Sequence, residues 1–144
     1  MGIRKAKVED CKQISLLLNQ LDYPDTELLI KEKVEKFLMD PNEVLLVFEE
    51  DKTVIALISL HFIPQLAVNG DFARISYFAV DNNSRGHGIG RKIEEHCTDL
   101  ALKRNCNRME VHCHSRRKDA HKFYLRQGFI ESPKYFIKML HETN

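Results

Sequence analysis

Arg74-Ile-Ser-Tyr-Phe-Ala-Val80, then Asp81-Asn-Asn-Ser-Arg-Gly-His-Gly-Ile-Gly90, then a run to Arg104: the reading of this stretch decides the fold. The first seven residues are largely apolar and read as a strand. The loop after them carries Gly86, Gly88 and Gly90 at alternate positions. From Ile89 onward, Ile89, Ile93, Cys97, Leu100 and Ala101 recur at the three-and-four spacing of one helix face. Glu94, Glu95, Asp99 and Lys103 are expected on the opposite, solvated face. Strand, glycine loop and helix together make a construction for holding phosphate. Glycine removes the side chain that would block the backbone, so successive N–H groups can turn toward one anion. The helix adds its unpaired N–H groups and the positive end of its dipole. Arg85, Arg91 and Lys92 place cations beside it.

Two other glycine motifs do not fit. A P-loop requires Lys-Ser/Thr after its last glycine, and Gly90 is followed by Arg91-Lys92-Ile93. A dinucleotide fingerprint that starts at Gly86 and Gly88 requires glycine where Arg91 stands.

At 144 residues the chain predicts a single domain, residues 1–144, with one substantial core. Apolar residues make up 43% and charged residues 30%, which suits a folded globular protein. A net charge of +1 argues against a nucleic-acid partner, which calls for a clearly basic face. The opening Met-Gly-Ile-Arg-Lys-Ala-Lys has no apolar signal core, and no apolar run is long enough for a membrane span. Ala6 stands where a myristoylation signal needs Ser or Thr. The expectation is a cytoplasmic protein without membrane association. Cys11, Cys97 and Cys113 fall on apolar stripes, and the four cysteines show no Cys-x-x-Cys spacing, so all are expected to be reduced.

Taken in order, Ile3–Ala6 reads as a short strand. Cys11, Ile14, Leu17, Leu18 and Leu21 mark a helix from about Glu9 to Leu21. Pro24 breaks it. A second helix is predicted over Thr26–Met39, with Ile30, Val34, Phe37 and Leu38 inward. Val44–Phe48 and Thr53–Ile63 form a hairpin, Pro64–Asp71 a loop, and the central strand follows. Arg108–His114 alternates, with Met109, Val111 and Cys113 on one face and Glu110, His112 and His114 on the other. A helix over Arg117–Arg126 ends at Gly128, which suits a left-handed cap. Phe129-Ile130 starts a strand, and Tyr135–Leu140 is the last one. The order β-α-α-β-β-β-α-β-α-β-β predicts an α+β, or mixed α/β, domain around one sheet.

Arg85-x-x-Gly88-x-Gly90, directly after a strand, resembles the acetyl-CoA pyrophosphate loop of the GNAT superfamily of N-acetyltransferases. Ala120-His-Lys-Phe-Tyr124-Leu-Arg-Gln-Gly128-Phe129, one strand later, resembles that family's late signature, Ala-x-x-Phe/Leu-Tyr-x-x-x-Gly-Phe. The opening Ile3-Arg4-x-Ala6-x-x-x-Asp10 is similar to its first strand and turn. The resemblance runs from Ile3 to Leu140 and points to the small, single-domain bacterial type. It implies a GNAT fold: one central mixed, mostly antiparallel sheet with helices on both faces.

The resemblance also implies acetyl-CoA as co-substrate and a primary amine as acceptor. The backbone N–H groups of Arg85, Gly86, His87, Gly88, Ile89 and Gly90 would hold the pyrophosphate, with Arg91 alongside. Phe78 and Val80 would offer main-chain groups to the pantetheine arm. Tyr124 falls where the family often places a phenol near the departing sulfur. Arg117 replaces a frequent asparagine, and would instead supply charge to the CoA 3′-phosphate. Homodimerisation through the terminal strands is a further expectation.

Elementary chemistry matches these roles. A lysine-like amine of pKa about 10.4 needs roughly 4.6 kcal/mol to become neutral at pH 7, so a base is useful. A phenol of pKa about 10 can protonate a thiolate. An N–H of the central strand, from Phe78 or Ala79, would polarise the thioester carbonyl. The central strand offers no carboxylate as base. His112 is the leading candidate, with His114, His61 and Asp71 behind it. His112-x-His114 lacks the further ligands of a structural zinc site, so no metal is predicted. Asp22, Asp25 and Asp71 would favour a cationic acceptor such as an aminoglycoside, a polyamine or a protein amine. A non-catalytic acyl-CoA sensor is the competing function.

Overall fold

The computed structural model describes residues 2–113, 117–132 and 135–141. The chain falls into two units, one ending at His112 and one beginning at Cys113. In the first, strand β1 (Gly2–Lys5) leads into a single 3-10 turn at Val8–Asp10 and helix α1 (Cys11–Gln20). Arg4 donates to both carboxylate oxygens of Asp10, at 2.8 and 2.9 Å, and to Glu49 at 2.6 Å. The Lys7 N–H also donates to Asp10. The Arg4-x-Ala6-x-x-x-Asp10 spacing is therefore a staple: it turns the chain from the sheet into α1 and leaves Ala6 buried.

Helix α2 (Ile30–Met39) starts later than the predicted Thr26. The Thr26 carbonyl accepts from the Leu29 and Ile30 N–H groups, so residues 26–29 form a turn that leaves Leu28 fully exposed. Ile30 and Val34 are buried, but Leu38, expected inward, is exposed. Strands β2 (Glu43–Glu50) and β3 (Thr53–Ile63) form the expected hairpin. Asp51 and Lys52 both take positive φ at its turn, which matches the twist of the flanking strands.

Strand β4 (Phe72–Val80), helix α3 (Ile89–Lys103) and strand β5 (Arg108–Val111) complete this unit. The sheet order is β1-β2-β3-β4-β5, antiparallel except for the parallel β4–β5 pair. One face packs Leu45, Val47, Leu57 and Ala79 under Ile14, Leu17, Leu18 and Val34 of α1 and α2. The other face carries α3, whose Thr98 hydroxyl meets the Met109 sulfur on β5. Glu94 corrects the solvated-face reading of α3: it is buried and accepts a 2.8 Å bond from Thr98. It sits on the shoulder of the apolar stripe, where the hydroxyl one turn later compensates its burial. The four cysteines are unbridged, and burial pushes the Cys97 thiol up to about 12.

The second unit holds α4 (Lys118–Arg126). Its end explains the Tyr-x-x-x-Gly-Phe spacing. Gly128 takes φ +92, its N–H bonds the Leu125 carbonyl, and the Phe129 N–H bonds the Tyr124 carbonyl at 3.0 Å. The Tyr124 and Phe129 rings meet edge-on at 5.4 Å. This is a Schellman cap with its apolar contact, and only glycine takes the left-handed position without strain. The two final strands expected at Phe129-Ile130 and Tyr135–Leu140 are not formed among the described residues. Tyr135–Leu140 holds a single polar residue, Lys138, so it lacks the alternation that would fix one face on a core. Phe136 and Leu140 are exposed.

Candidate functional site

β4 opens at a bulge. Ser59 of β3 lies opposite Tyr77 and Leu60 lies opposite Ile75, so Ser76 is the extra residue. The insertion keeps Arg74 and Tyr77 on one face, and Ile75 and Phe78 on the other. The β4–β5 register runs from Phe72↔Arg108 to Ile75↔Val111 and stops there. Beyond it, β4 is paired with β3 among the described strands.

Which main-chain groups face the other edge follows from one bond. The Asp81 N–H donates to the Ile55 carbonyl at 2.8 Å, which makes the Asp81 position a hydrogen-bonded pair with β3. Antiparallel pairs alternate, so Ala79 and Tyr77 also direct their N–H and C=O to β3. Phe78 and Val80 direct theirs to the opposite side. Of Phe78 and Ala79, the two residues expected to polarise the thioester carbonyl, it is Ala79 that turns its N–H to β3. The Val80 carbonyl receives the Arg85 Nε at 3.3 Å.

The loop itself is built as a donor cluster. Asp81 caps its first turn by accepting from the Asn83 N–H. The Gln20 side chain, at the end of α1, donates to Asp81 at 2.8 Å and accepts from the Asn82 N–H at 2.9 Å. Gly86 and Gly88 take φ +86 and +76, and Gly88 is the N-cap of α3. Ile89, Gly90 and Arg91 are the first helical residues. The N–H groups from Gly86 to Arg91 meet no acceptor among the described residues. Ile89 is buried and anchors the helix start, while Arg85, His87, Arg91 and Lys92 are exposed around it. Arg91 is paired with Glu95.

On the α1–α2 face, Tyr77 meets Tyr23 edge-on at 5.1 Å. Burial, then the neighbouring Tyr23, pushes the Tyr77 phenol up from its ordinary value. Asp22 and Asp25 flank Tyr23 and both take positive φ. The base candidates separate. His112 is exposed just past β5, and His114 lies outside the described residues. Asp71 is engaged by Arg104 at 3.5 Å. His61 is held at both nitrogens: Nδ1 by Glu43 and Nε2 by Ser59 at 3.4 Å, with Phe37 edge-on against its ring. Among the described residues no group of three or more His, Cys, Asp or Glu side chains is placed to hold a metal.

In the second unit, Arg117 is the exposed N-cap of α4. Tyr124 is half-buried between the rings of Phe123 and Phe129. Sequence reasoning singled out none of Gln20, Ser59 and Glu43, while the Asp22–Asp25 segment expected to line the acceptor pocket includes Tyr23. Nothing near Gln20 in the chain marks its reach to Asp81. Glu43 was hidden by a bulge at Ile55, where Phe48 pairs with Ala56 and Glu49 with Val54. Counting back from the Asp51-Lys52 turn without that bulge would place Glu43 opposite Leu60 rather than His61.

Known proteins are similar to this chain in sequence and fold. An aminoalkylphosphonate N-acetyltransferase from Salmonella typhimurium is 29% identical over 143 residues, covering 96% of this chain and 90% of that enzyme. Glucosamine-6-phosphate N-acetyltransferase from Arabidopsis thaliana superposes with a TM-score of 0.82 at 23% identity, covering 96% of this chain and 97% of that one. An aminoglycoside antibiotic 6′-N-acetyltransferase from Acinetobacter haemolyticus gives 0.81 at 20%, covering 98% and 100%. The chain matches the Acetyltransferase (GNAT) family over residues 9–129, and this protein belongs to that family of N-acetyltransferases.

Proposed function

We propose that the protein transfers the acetyl group of acetyl-CoA to a small primary amine by direct attack. The observation that carries this reading is the set of N–H groups from Gly86 to Arg91, which meet no acceptor among the described residues, in the loop that directly follows β4. Those N–H groups, with the α3 dipole, suit a pyrophosphate. Main-chain groups of Phe78 and Val80 suit the amides of a pantetheine arm, bound as an added strand. The amine nitrogen adds to the thioester carbon, and the Phe78 N–H stabilises the resulting oxyanion. Collapse breaks the C–S bond, the Tyr124 phenol protonates the thiolate, and the proton that the nitrogen sheds on becoming an amide restores the phenol. Arg117 is assigned to the 3′-phosphate of CoA.

A small amine is favoured over a protein by the Salmonella relative, an aminoalkylphosphonate N-acetyltransferase. Tyr23, Tyr77, Asp22 and Asp25 would form part of the acceptor wall. The test is thiol release from acetyl-CoA over a panel holding 2-aminoethylphosphonate, spermidine, an aminoglycoside and a lysine peptide. Turnover with a small amine is expected. Tyr124→Phe should lower kcat by roughly 100-fold while acetyl-CoA still stabilises the fold. Turnover with the peptide alone would replace the small-amine acceptor, and full activity in Tyr124→Phe would remove the acid role.

A further inference from the structure

Four ionisable side chains line up across the sheet on the α1–α2 face. Glu43 of β2 lies opposite His61 of β3, His61 opposite Arg74 of β4, and Arg74 opposite Glu110 of β5. The outer pair is a closed ion pair, with Arg74 Nε and Nη2 both on one Glu110 oxygen at 3.0 and 2.7 Å. That commits Arg74 to Glu110. Glu43 is left to His61, and accepts from its Nδ1.

This pairing fixes the imidazole. With Nδ1–H on a carboxylate, the remaining lone pair of the neutral ring is at Nε2, and Nε2 faces the Ser59 hydroxyl at 3.4 Å. Ser59 is two residues along the same face. It stands opposite Tyr77, beside the Ser76 bulge where the β4–β5 register has ended. A carboxylate, an imidazole and a hydroxyl thus run in that order toward the opening of the sheet, with each group's acceptor turned to the next donor.

We propose that Glu43–His61–Ser59 is the proton relay that deprotonates the acceptor amine, an inference that rests on the acetyl-transfer reading above. The ammonium of the bound acceptor gives one proton to Ser59 Oγ, and Ser59 passes its own hydroxyl proton to His61 Nε2. The amine becomes neutral and nucleophilic, Ser59 is regenerated, and the imidazolium is balanced by Glu43. After acetyl transfer His61 returns the proton to solvent across its partly exposed ring. Ser59, opposite Tyr77 of the proposed acceptor wall, is the substrate end of the relay, and at 2% exposure it takes up a proton and not the body of the acceptor. His61 and Glu43 act through it as positioning and proton-accepting residues. The relay supplies the base that the central strand, with Arg74, Ser76 and Tyr77, does not.

The charged groups around His61 are Glu43 from β2 and Arg74 from β4, the latter held by Glu110; α2 contributes the uncharged Phe37 ring. The test uses the full chain with acetyl-CoA and whichever panel amine turns over. His61→Gln should lower kcat at least 100-fold, remove the acidic limb of the kcat/KM profile, and leave acetyl-CoA-dependent thermal stabilisation unchanged. Ser59→Ala should lower kcat at least tenfold, and Ser59→Thr, which keeps the hydroxyl on a strand-forming residue, should restore it. A structural role alone would not separate alanine from threonine in this way. Wild-type pH dependence and a kcat within threefold in His61→Gln would overturn the relay while leaving acetyl transfer standing. Acetylated Ser59 on mass spectrometry would overturn it in favour of a nucleophile. Absence of wild-type turnover with every amine would instead overturn the reading on which the relay rests.

Discussion

Gln20 holds Asp81. The amide at the last turn of α1 donates to the Asp81 carboxylate at 2.8 Å and accepts from the next residue's N–H at 2.9 Å, sixty-odd residues away in sequence. Asp81 in turn caps the first turn of the glycine loop. The start of the Tyr23 segment and the start of the glycine loop are thereby fixed to one another through a single side chain. Gln20→Ala removes both bonds and leaves the loop with its local cap alone. We expect acetyl-CoA to bind roughly 5- to 10-fold more weakly, which corresponds to about 1–1.4 kcal/mol, with little change in kcat at saturation. Isothermal titration of acetyl-CoA measures it.

Gly88 tests the loop directly. No atom lies within 4 Å of where its Cβ would be, so alanine there meets no neighbour. The strain is in the backbone, at φ +76 on the N-cap of α3. Gly88→Ala should cost about 1–2 kcal/mol, felt as loosening of the N–H cluster. Acetyl-CoA affinity should fall roughly tenfold while α3 keeps its helical circular dichroism.

Asp10 carries a pH signature. Burial pushes its carboxyl up, but bonds from Arg4 and from the Lys7 N–H outweigh that and hold it below the usual carboxylate range. A lowered folded value means its contribution is fully present above the unfolded value of about 3.9, and is lost as pH falls through the folded value. Asp10→Asn should destabilise the protein by roughly 2–3 kcal/mol at neutral pH. Its stability should also fall less steeply than wild type on acidification, as urea titrations at several pH values would show.

Much of this architecture was legible because it is local. Apolar spacing of three and four placed α1 and α3, and the apolar stretches Val44–Phe48 and Thr53–Ile63 placed the β2–β3 hairpin. Gly86, Gly88 and Gly128 marked positions that do take positive φ. What escaped the sequence is what depends on register. Ser76 and the bulge at Ile55 each insert one residue, and with them the partners of Tyr77 and Glu43 change. Glu94 escaped because a helical wheel cannot say that Thr98 will compensate a buried carboxylate. Tyr135–Leu140 misled because high strand propensity without alternation does not specify a partner.

Gly128 offers a test confined to the second unit. Alanine at φ +92 strains the Schellman cap that joins the Tyr124 carbonyl to the Phe129 N–H. We expect a loss of about 1–2 kcal/mol in the local stability of α4. Hydrogen exchange of the Leu125–Phe129 amides should quicken about 5- to 30-fold, with the α1 amides unchanged.

The central claim is that the loop from Gly86 to Arg91 holds the pyrophosphate of acetyl-CoA. The most direct measurement is thermal unfolding with and without acetyl-CoA, for wild type and Gly88→Ala. At roughly 100 times the dissociation constant, acetyl-CoA should stabilise the wild type by about 2.7 kcal/mol, an easily resolved rise in Tm. Gly88→Ala at the same concentration should show roughly half that stabilisation. An unmoved wild-type Tm at millimolar acetyl-CoA, or an equal rise in both proteins, would contradict the assignment of this loop.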